Sequence, residues 1–203
     1  MQIKKFDNRD EWLEARRGKI TGSRLKDIVV KRGTGKKIGF YELIAERLGI
    51  PADGENPMDR GTRLEEEAMA EFVKQTKKKV NTDLVIWNRE DNENIAISPD
   101  GYIGKETPEA GIEVKCLSSA RHIEALLTQK VPDEYEYQVL QYFIVNDSLK
   151  TLYFIFYDPR LLAKPFFFLT INRESVQEDV EMYLDYQKKT LEEVDEIVNT
   201  LTF

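Results

Sequence analysis

The sequence predicts an α/β (α+β) fold in which a mixed β-sheet is flanked by helices. Three features predict it: helix-forming segments fill the first third, short β-rich runs take over after Val80, and two aromatic strand segments precede one long amphipathic stretch. No internal repeat, low-complexity tract or Pro/Gly/Ser-rich linker interrupts the 203 residues. A chain of this length fits one domain, 1–203, in which a helical N-terminal region (1–78) packs on a core (79–203).

The elements follow from local pattern. "NRDEWLEAR" opens on Asn8, a capping residue type, and "TGSRLKDIVV" offers Thr21 and Ser23 as caps. "GFYELIAERLG" closes on Gly49, as helices often do. From about Met58 to Lys77, Leu64, Ala68, Phe72 and Val73 recur at helical spacing. "LVIW" (84–87), "IAIS" (95–98) and "GIEVKC" (111–116) are β-rich runs separated by turn-rich segments. Two helices are expected near 119–127 and 133–145, then buried strands at "KTLYFIFYD" and "KPFFFLTI", then a helix over 174–199.

Composition excludes several classes. One cysteine, Cys116, cannot form an intrachain disulfide, and one cysteine with one histidine, His122, is too few for a zinc site. Cys116 is expected to be small and buried, His122 to lie on a helix surface. The opening "MQIKKFDNRDEW" lacks the apolar core of a signal peptide, and no run approaches the roughly 20 apolar residues of a membrane span. A soluble, cytoplasmic protein is expected. The net charge of −7 is unevenly spread: residues 16–37 hold nine bases and one acid, residues 173–203 three bases and nine acids. That asymmetry predicts a polyanion on the basic side and a solvated or partner-facing acidic side.

The chemistry concentrates in "ISPDGYIGKETPEAGIEVKC" (97–116). If "GIEVKC" is a strand, alternation puts Glu113 and Lys115 on one face and Ile112 and Val114 on the other. A hairpin through "GKETPEAG" brings Asp100 beside Glu113. Two carboxylates so close repel, and a hard divalent cation relieves them. Mg²⁺ fits, held by Asp100, Glu113 and the Val114 carbonyl, with Lys115 placed to orient water or meet developing charge. Glu65, Glu66 and Glu67 on the preceding helix offer a further acid. Gln138, with Gln141 a turn away, offers an amide to hold the water or Lys115.

Five segments in order then resemble the lambda-type phage exonucleases, or YqaJ-like viral recombinases, of the PD-(D/E)xK restriction-endonuclease-like superfamily. They are "WLEARRGKITGS" (12–23), "RGTRLEEEAMAEF" (60–72), "SPDG" (98–101) with "IEVKC" (112–116), "YQVLQY" (137–142) and "YDPR" (157–160). The resemblance implies a restriction-endonuclease-like core and Mg²⁺-dependent 5′-to-3′ degradation of one strand of linear double-stranded DNA, with Mn²⁺ as a substitute metal. It makes Asp100 and Glu113 metal ligands, Lys115 the catalytic lysine, Glu65 a helix-borne acid and Gln138 a supporting amide. Arg16, Ser23 and Ser98 would grip the 5′-phosphate, Lys36 and Lys37 would touch backbone phosphates, and Met58 would act as a wedge at the terminal base pair. It also implies a homotrimeric ring and a single-strand annealing partner protein, in a phage-type recombination system. The chain departs from the pattern in a longer loop between Asp100 and Glu113. Arg32 stands one position from the expected second phosphate-binding arginine. The same core also serves structure- or sequence-specific endonucleases and, without catalysis, DNA-end-binding modules.

Overall fold

The structure is a computed structural model that describes residues 1–30, 36–47, 61–105, 107–117 and 119–202. One sheet has the strand order β4 (Gly101–Ile103), β5 (Ala110–Lys115), β6 (Thr151–Tyr157), β7 (Phe166–Asn172). β4 and β7 run antiparallel to their neighbours while β5 and β6 run parallel, so this sheet is mixed. A parallel pair needs a crossover, which α5 (Ser119–Thr128) and α6 (Glu136–Val145) provide. β6 and β7 consist largely of aromatic and β-branched residues, which pack well on a pleated surface. Phe156 and Phe167, partners across the ladder, stack with ring centroids 4.7 Å apart.

A second, wholly antiparallel sheet holds β1 (Gln2–Lys5), β2 (Val85–Asn88) and β3 (Ala96–Ile97). The sequence pattern predicts one sheet; the division falls at Ser98-Pro99-Asp100, where a proline has no N–H to continue a ladder. β1 escapes the sequence pattern because three of its four residues are exposed and its strand form comes from pairing with β2.

Around the sheets lie α1 (Arg9–Ala15), α2 (Gly22–Ile28), α3 (Ile38–Arg47), α4 (Gly61–Thr76) and α7 (Gln177–Leu201). Asn8 caps α1, its side-chain oxygen accepting the Glu11 N–H at 2.9 Å. Thr21 holds the N-cap position of α2 but makes no side-chain cap bond, and Ser23 lies within the helix. The expected start of α4 at Met58 lies outside the described residues, as do Gly49 and Arg32. Short 3₁₀ turns at Asp133–Tyr135 and Arg173–Ser175 precede α6 and α7, so the closing helix begins later than the pattern suggests. Among the described residues no helix is long and apolar enough to cross a membrane.

Two cores position the site. On one side of β5, Ile112 and Val114 pack with Ile155 against Ala68, Met69 and Phe72 of α4. On the other, α6 lies almost wholly buried in a larger core with Ile20, Leu25, Leu43, Trp87 and Leu191. Phe72 is fully buried, and truncating such a phenylalanine to alanine typically costs about 3–5 kcal/mol. His122 corrects its expected surface position: it is fully buried, with Nε2 2.9 Å from the Lys164 carbonyl and its ring edge-on to Phe167. It shares the inward stripe of α5 with Ala125, three residues on, so the helix docks by this face. Cys116 is half-buried rather than buried, at the point where the chain leaves β5.

Candidate active site

Asp100 stands where the β4–β5 ladder runs out. Gly101 pairs with Ile112, so the next position back places Asp100 across from Glu113. There the Asp100 Oδ2 accepts the Val114 N–H at 2.7 Å, replacing the ladder bond that the proline turn interrupts. Burial first, and the neighbouring Glu113 second, push the Asp100 carboxyl well above the usual carboxylate range.

Glu113 is 2 % exposed in the middle of β5, and both of its oxygens are bonded. Oε1 accepts from Lys115 Nζ at 2.5 Å and from Gln138 Nε2 at 2.5 Å, while Oε2 accepts from the Tyr142 hydroxyl at 2.7 Å. The strand alternation therefore does what the sequence predicts: Glu113 and Lys115 meet on one face. Burial alone would lower the Lys115 pKa, but Glu113 and Asp100 more than offset it and hold the ammonium charged. Glu65, on the first turns of α4, faces the same group, and burial with help from Glu113 raises its carboxyl.

These residues share one cavity of about 910 Å³ with Arg9, Trp12, Arg16, Ser23, Lys26 and Ser98. Trp12 is fixed by its Nε1–H, which donates to the Val85 carbonyl at 3.2 Å, and the Arg16 guanidinium sits over its ring at 4.4 Å. Burial lowers the Arg16 pKa, with Glu113 and Asp100 opposing. The Ser98 hydroxyl is buried and has no hydrogen-bond partner among the described residues, and Ser98 lines the cavity. Ser23 reaches the cavity because α2 starts on glycine: a Cβ at Gly22 would come within 2.5 Å of Ile97 Cδ1 and 3.0 Å of Gln138 Cγ.

Thus Asp100, Glu113, Val114, Lys115, Glu65, Gln138, Arg16, Ser23 and Ser98 all line one cavity. Lys36 and Lys37 do not line the cavity. Lys36 ion-pairs with Glu193 and lies over the Phe40 ring, and Lys37 donates to the Lys26 carbonyl at 3.0 Å. Met58 lies outside the described residues. Gln138 holds Glu113 rather than Lys115, and Gln141 turns inward to the Ile20 and Ala96 carbonyls and to Gln187. Sequence reasoning missed Arg9, Trp12, Lys26 and Tyr142. Arg9, Trp12 and Arg16 share a face at i, i+3, i+7, a signal available in "RDEWLEAR". Tyr142 gave none, being an aromatic among apolar helix residues. The "YDPR" segment acts as a buckle: Asp158 accepts Arg160 Nε at 2.6 Å, and Arg160 Nη2 donates to the Leu117 carbonyl at 3.1 Å, just past Lys115.

The donors suit a hard divalent cation. Asp100, Glu113 and the Val114 carbonyl offer only oxygen, and a cation between the acids would relieve the repulsion from Glu113 that adds to burial in raising Asp100. Among the described residues no group of three or more acidic, histidine or cysteine side chains forms a metal cluster. Two carboxylates and a carbonyl would leave the remaining positions to water and phosphate, which is the habit of Mg²⁺.

A mixed sheet carrying aspartate, glutamate and lysine in the D…ExK arrangement at a helix-walled cavity defines the restriction-endonuclease-like class. Within it the chain belongs to the YqaJ-like viral recombinase domain family, whose model matches residues 11–148, a span that includes every cavity acid and Lys115. Two solved structures are similar over nearly the whole length. One is an alkaline exonuclease (LHK-Exo) from Laribacter hongkongensis, the other LHK-Exo in complex with dAMP. Each is 28% identical, with 95% of this chain and 96% of the other covered and a TM-score of 0.79. No curated protein sequence matches the chain.

Proposed function

We propose that this chain is a Mg²⁺-dependent phage-type exonuclease, a single nuclease domain that degrades one strand of linear double-stranded DNA in the 5′-to-3′ direction. The 3′ single-stranded overhangs it leaves serve recombination by strand annealing. The observation that carries this is the convergence of Asp100, Glu113 and Lys115 in one cavity with Arg16, Ser23 and Ser98. Membership of the family, and the likeness to an alkaline exonuclease, support the reaction class.

Asp100, Glu113 and the Val114 carbonyl hold Mg²⁺, for which Mn²⁺ substitutes. The ion supplies charge neutralisation at the phosphate and a more acidic water. Lys115, kept charged by the acids around it, meets negative charge as it develops on the scissile phosphate. Gln138 holds Glu113 in place, and Glu65 stands by as a proton acceptor with a raised affinity for protons. Arg16 on its indole platform, with Ser23 and the unpartnered Ser98 hydroxyl, cradles the terminal 5′-phosphate as a fork and two hydroxyls can. Lys36 and Lys37 contact backbone phosphates, and Met58 wedges the end of the duplex. Three copies form a ring around DNA, and a single-strand annealing protein takes the product.

With Mg²⁺ present, linear duplex is expected to be degraded and covalently closed circles spared; attack on circles would favour the endonuclease alternative. Asp100→Ala and Lys115→Ala should each abolish activity, and full activity in either would remove this site. A 5′-phosphorylated duplex should be degraded faster than a 5′-hydroxyl one, and equal rates would remove the Arg16 pocket.

A further inference from the structure

Glu113 is gripped from a single helix face. Gln138 and Tyr142 stand four residues apart on α6, so their side chains lie one turn apart on the same side. The Gln138 amide donates to Glu113 Oε1, and the Tyr142 hydroxyl lies 2.7 Å from Oε2. That hydroxyl also lies 2.9 Å from the Ile112 carbonyl, yet it has one proton to give. A carboxylate accepts more strongly than a neutral carbonyl, and the shorter distance agrees, so the proton goes to Glu113.

Tyr142 is fully buried, edge-on to Trp87 with ring centroids 6.1 Å apart, and no step of the proposed reaction uses it. Its ring lies against β5 at Gly111. A Cβ at Gly111 would come within 2.7 Å of Tyr142 Cδ1 and 2.9 Å of Cε1. Gly111 and Glu113 are two residues apart on the strand and share a face. The missing side chain at one position thus makes room for the ring whose hydroxyl reaches the carboxylate at the other.

We propose that Tyr142, seated on Gly111, is a positioning residue for the Glu113 carboxylate. It commits Oε2 to a hydrogen bond and so fixes the orientation in which Oε1 meets Lys115 and Gln138. This rests on the metal-dependent reading of the site given above. Loss of a hydrogen-bond partner behind a metal ligand typically costs about 10- to 100-fold in metal affinity or activity.

Tyr142→Phe keeps the ring and removes only the hydroxyl. Mn²⁺ titration of DNA-free protein by electron paramagnetic resonance should show a dissociation constant raised about 10- to 100-fold. On linear duplex kcat should fall by a similar factor, with KM for DNA within about twofold of wild type. A tyrosine that served only packing would lower the melting temperature and leave Mn²⁺ affinity and kcat unchanged, which overturns the proposal. Gly111→Ala retains the hydroxyl but displaces the ring, and should weaken Mn²⁺ binding in the same direction; wild-type affinity in it overturns the proposal too. Asp100→Asn and Glu113→Gln separate the two levels. If these lose Mn²⁺ while Tyr142→Phe keeps it, the positioning role fails and the metal site stands. If all bind Mn²⁺ as wild type does, the metal lies elsewhere and the proposed site fails with the positioning role.

Discussion

Cys116 shows how one residue's surroundings set its chemistry. It follows Lys115 at the end of β5, and burial first, then the carboxylates of Glu65 and Asp100, push its thiol up to about 12. The thiolate is the reactive form, and at pH 8 a free thiol with a pKa near about 8.5 is substantially ionised. In EDTA at pH 8, folded protein should therefore react with iodoacetamide on the order of a hundredfold more slowly than denatured chain. Equal rates would mean that neither burial nor the acids hold this thiol protonated. The crowding itself was legible in sequence, because alternation along "IEVKC" leaves Glu113 and Lys115 no choice but a common face, and a proline before Asp100 ends a strand where a carboxylate can cap the next. Tyr142 was not legible. Its value lies in a hydroxyl whose partner is 29 positions away, and nothing local marks it off from Tyr137, which packs against Tyr183.

Among elements, α2 and α3 are joined by a clamp that also holds the turn after α1. Glu46 accepts from Arg24 Nη1 at 2.6 Å and Nη2 at 2.5 Å, and from the Gly18 N–H at 2.7 Å. Arg47 closes the other side, donating to the Gly18 carbonyl at 3.2 Å while ion-pairing with Asp195 on α7. Burial alone would raise the Glu46 carboxyl, but Arg24 and the Gly18 N–H outweigh it, so the folded value lies below the ordinary 4.5. A depressed carboxyl stabilises the fold above its unfolded pKa, and that contribution disappears as pH falls through the folded value. Glu46→Gln should accordingly cost about 1–3 kcal/mol at pH 7. The gap in melting temperature to wild type should close below about pH 4, as wild-type Glu46 itself becomes protonated. A gap independent of pH would assign the loss to packing. Long periodic elements such as α4, α7 and the aromatic pair β6–β7 were readable because many residues repeat one signal. β1 and β4, of four and three residues, were not, since pairing with a neighbouring strand rather than local propensity makes them strands.

Over the whole molecule, the basic stretch meets the acidic C-terminal helix at Lys36, and Arg47, just beyond that stretch, meets it too. Lys36 pairs with Glu193 and Arg47 with Asp195, while Lys188 reaches Asp91 at 2.6 Å. The charge asymmetry read from sequence is thus partly neutralised by ion pairs at the surface, and among the described residues Arg9, Arg16, Lys26 and Lys115 are the cations that line the cavity. A net charge of −7 then disfavours sticking to phosphates at random. Sustained digestion in such a molecule is better served by enclosure than by affinity, which ties the charge balance to the proposed ring. Light scattering should give about three times the 23.7 kDa chain mass. Between about 50 and 200 mM salt, initiation on duplex ends should fall steeply, because each phosphate contact made at engagement releases counterions. The run length of molecules already engaged, measured with a heparin trap added after the start, should change little over the same range. A run length that falls as steeply as initiation would mean that phosphate contacts alone hold the enzyme to DNA, and enclosure would have to be abandoned.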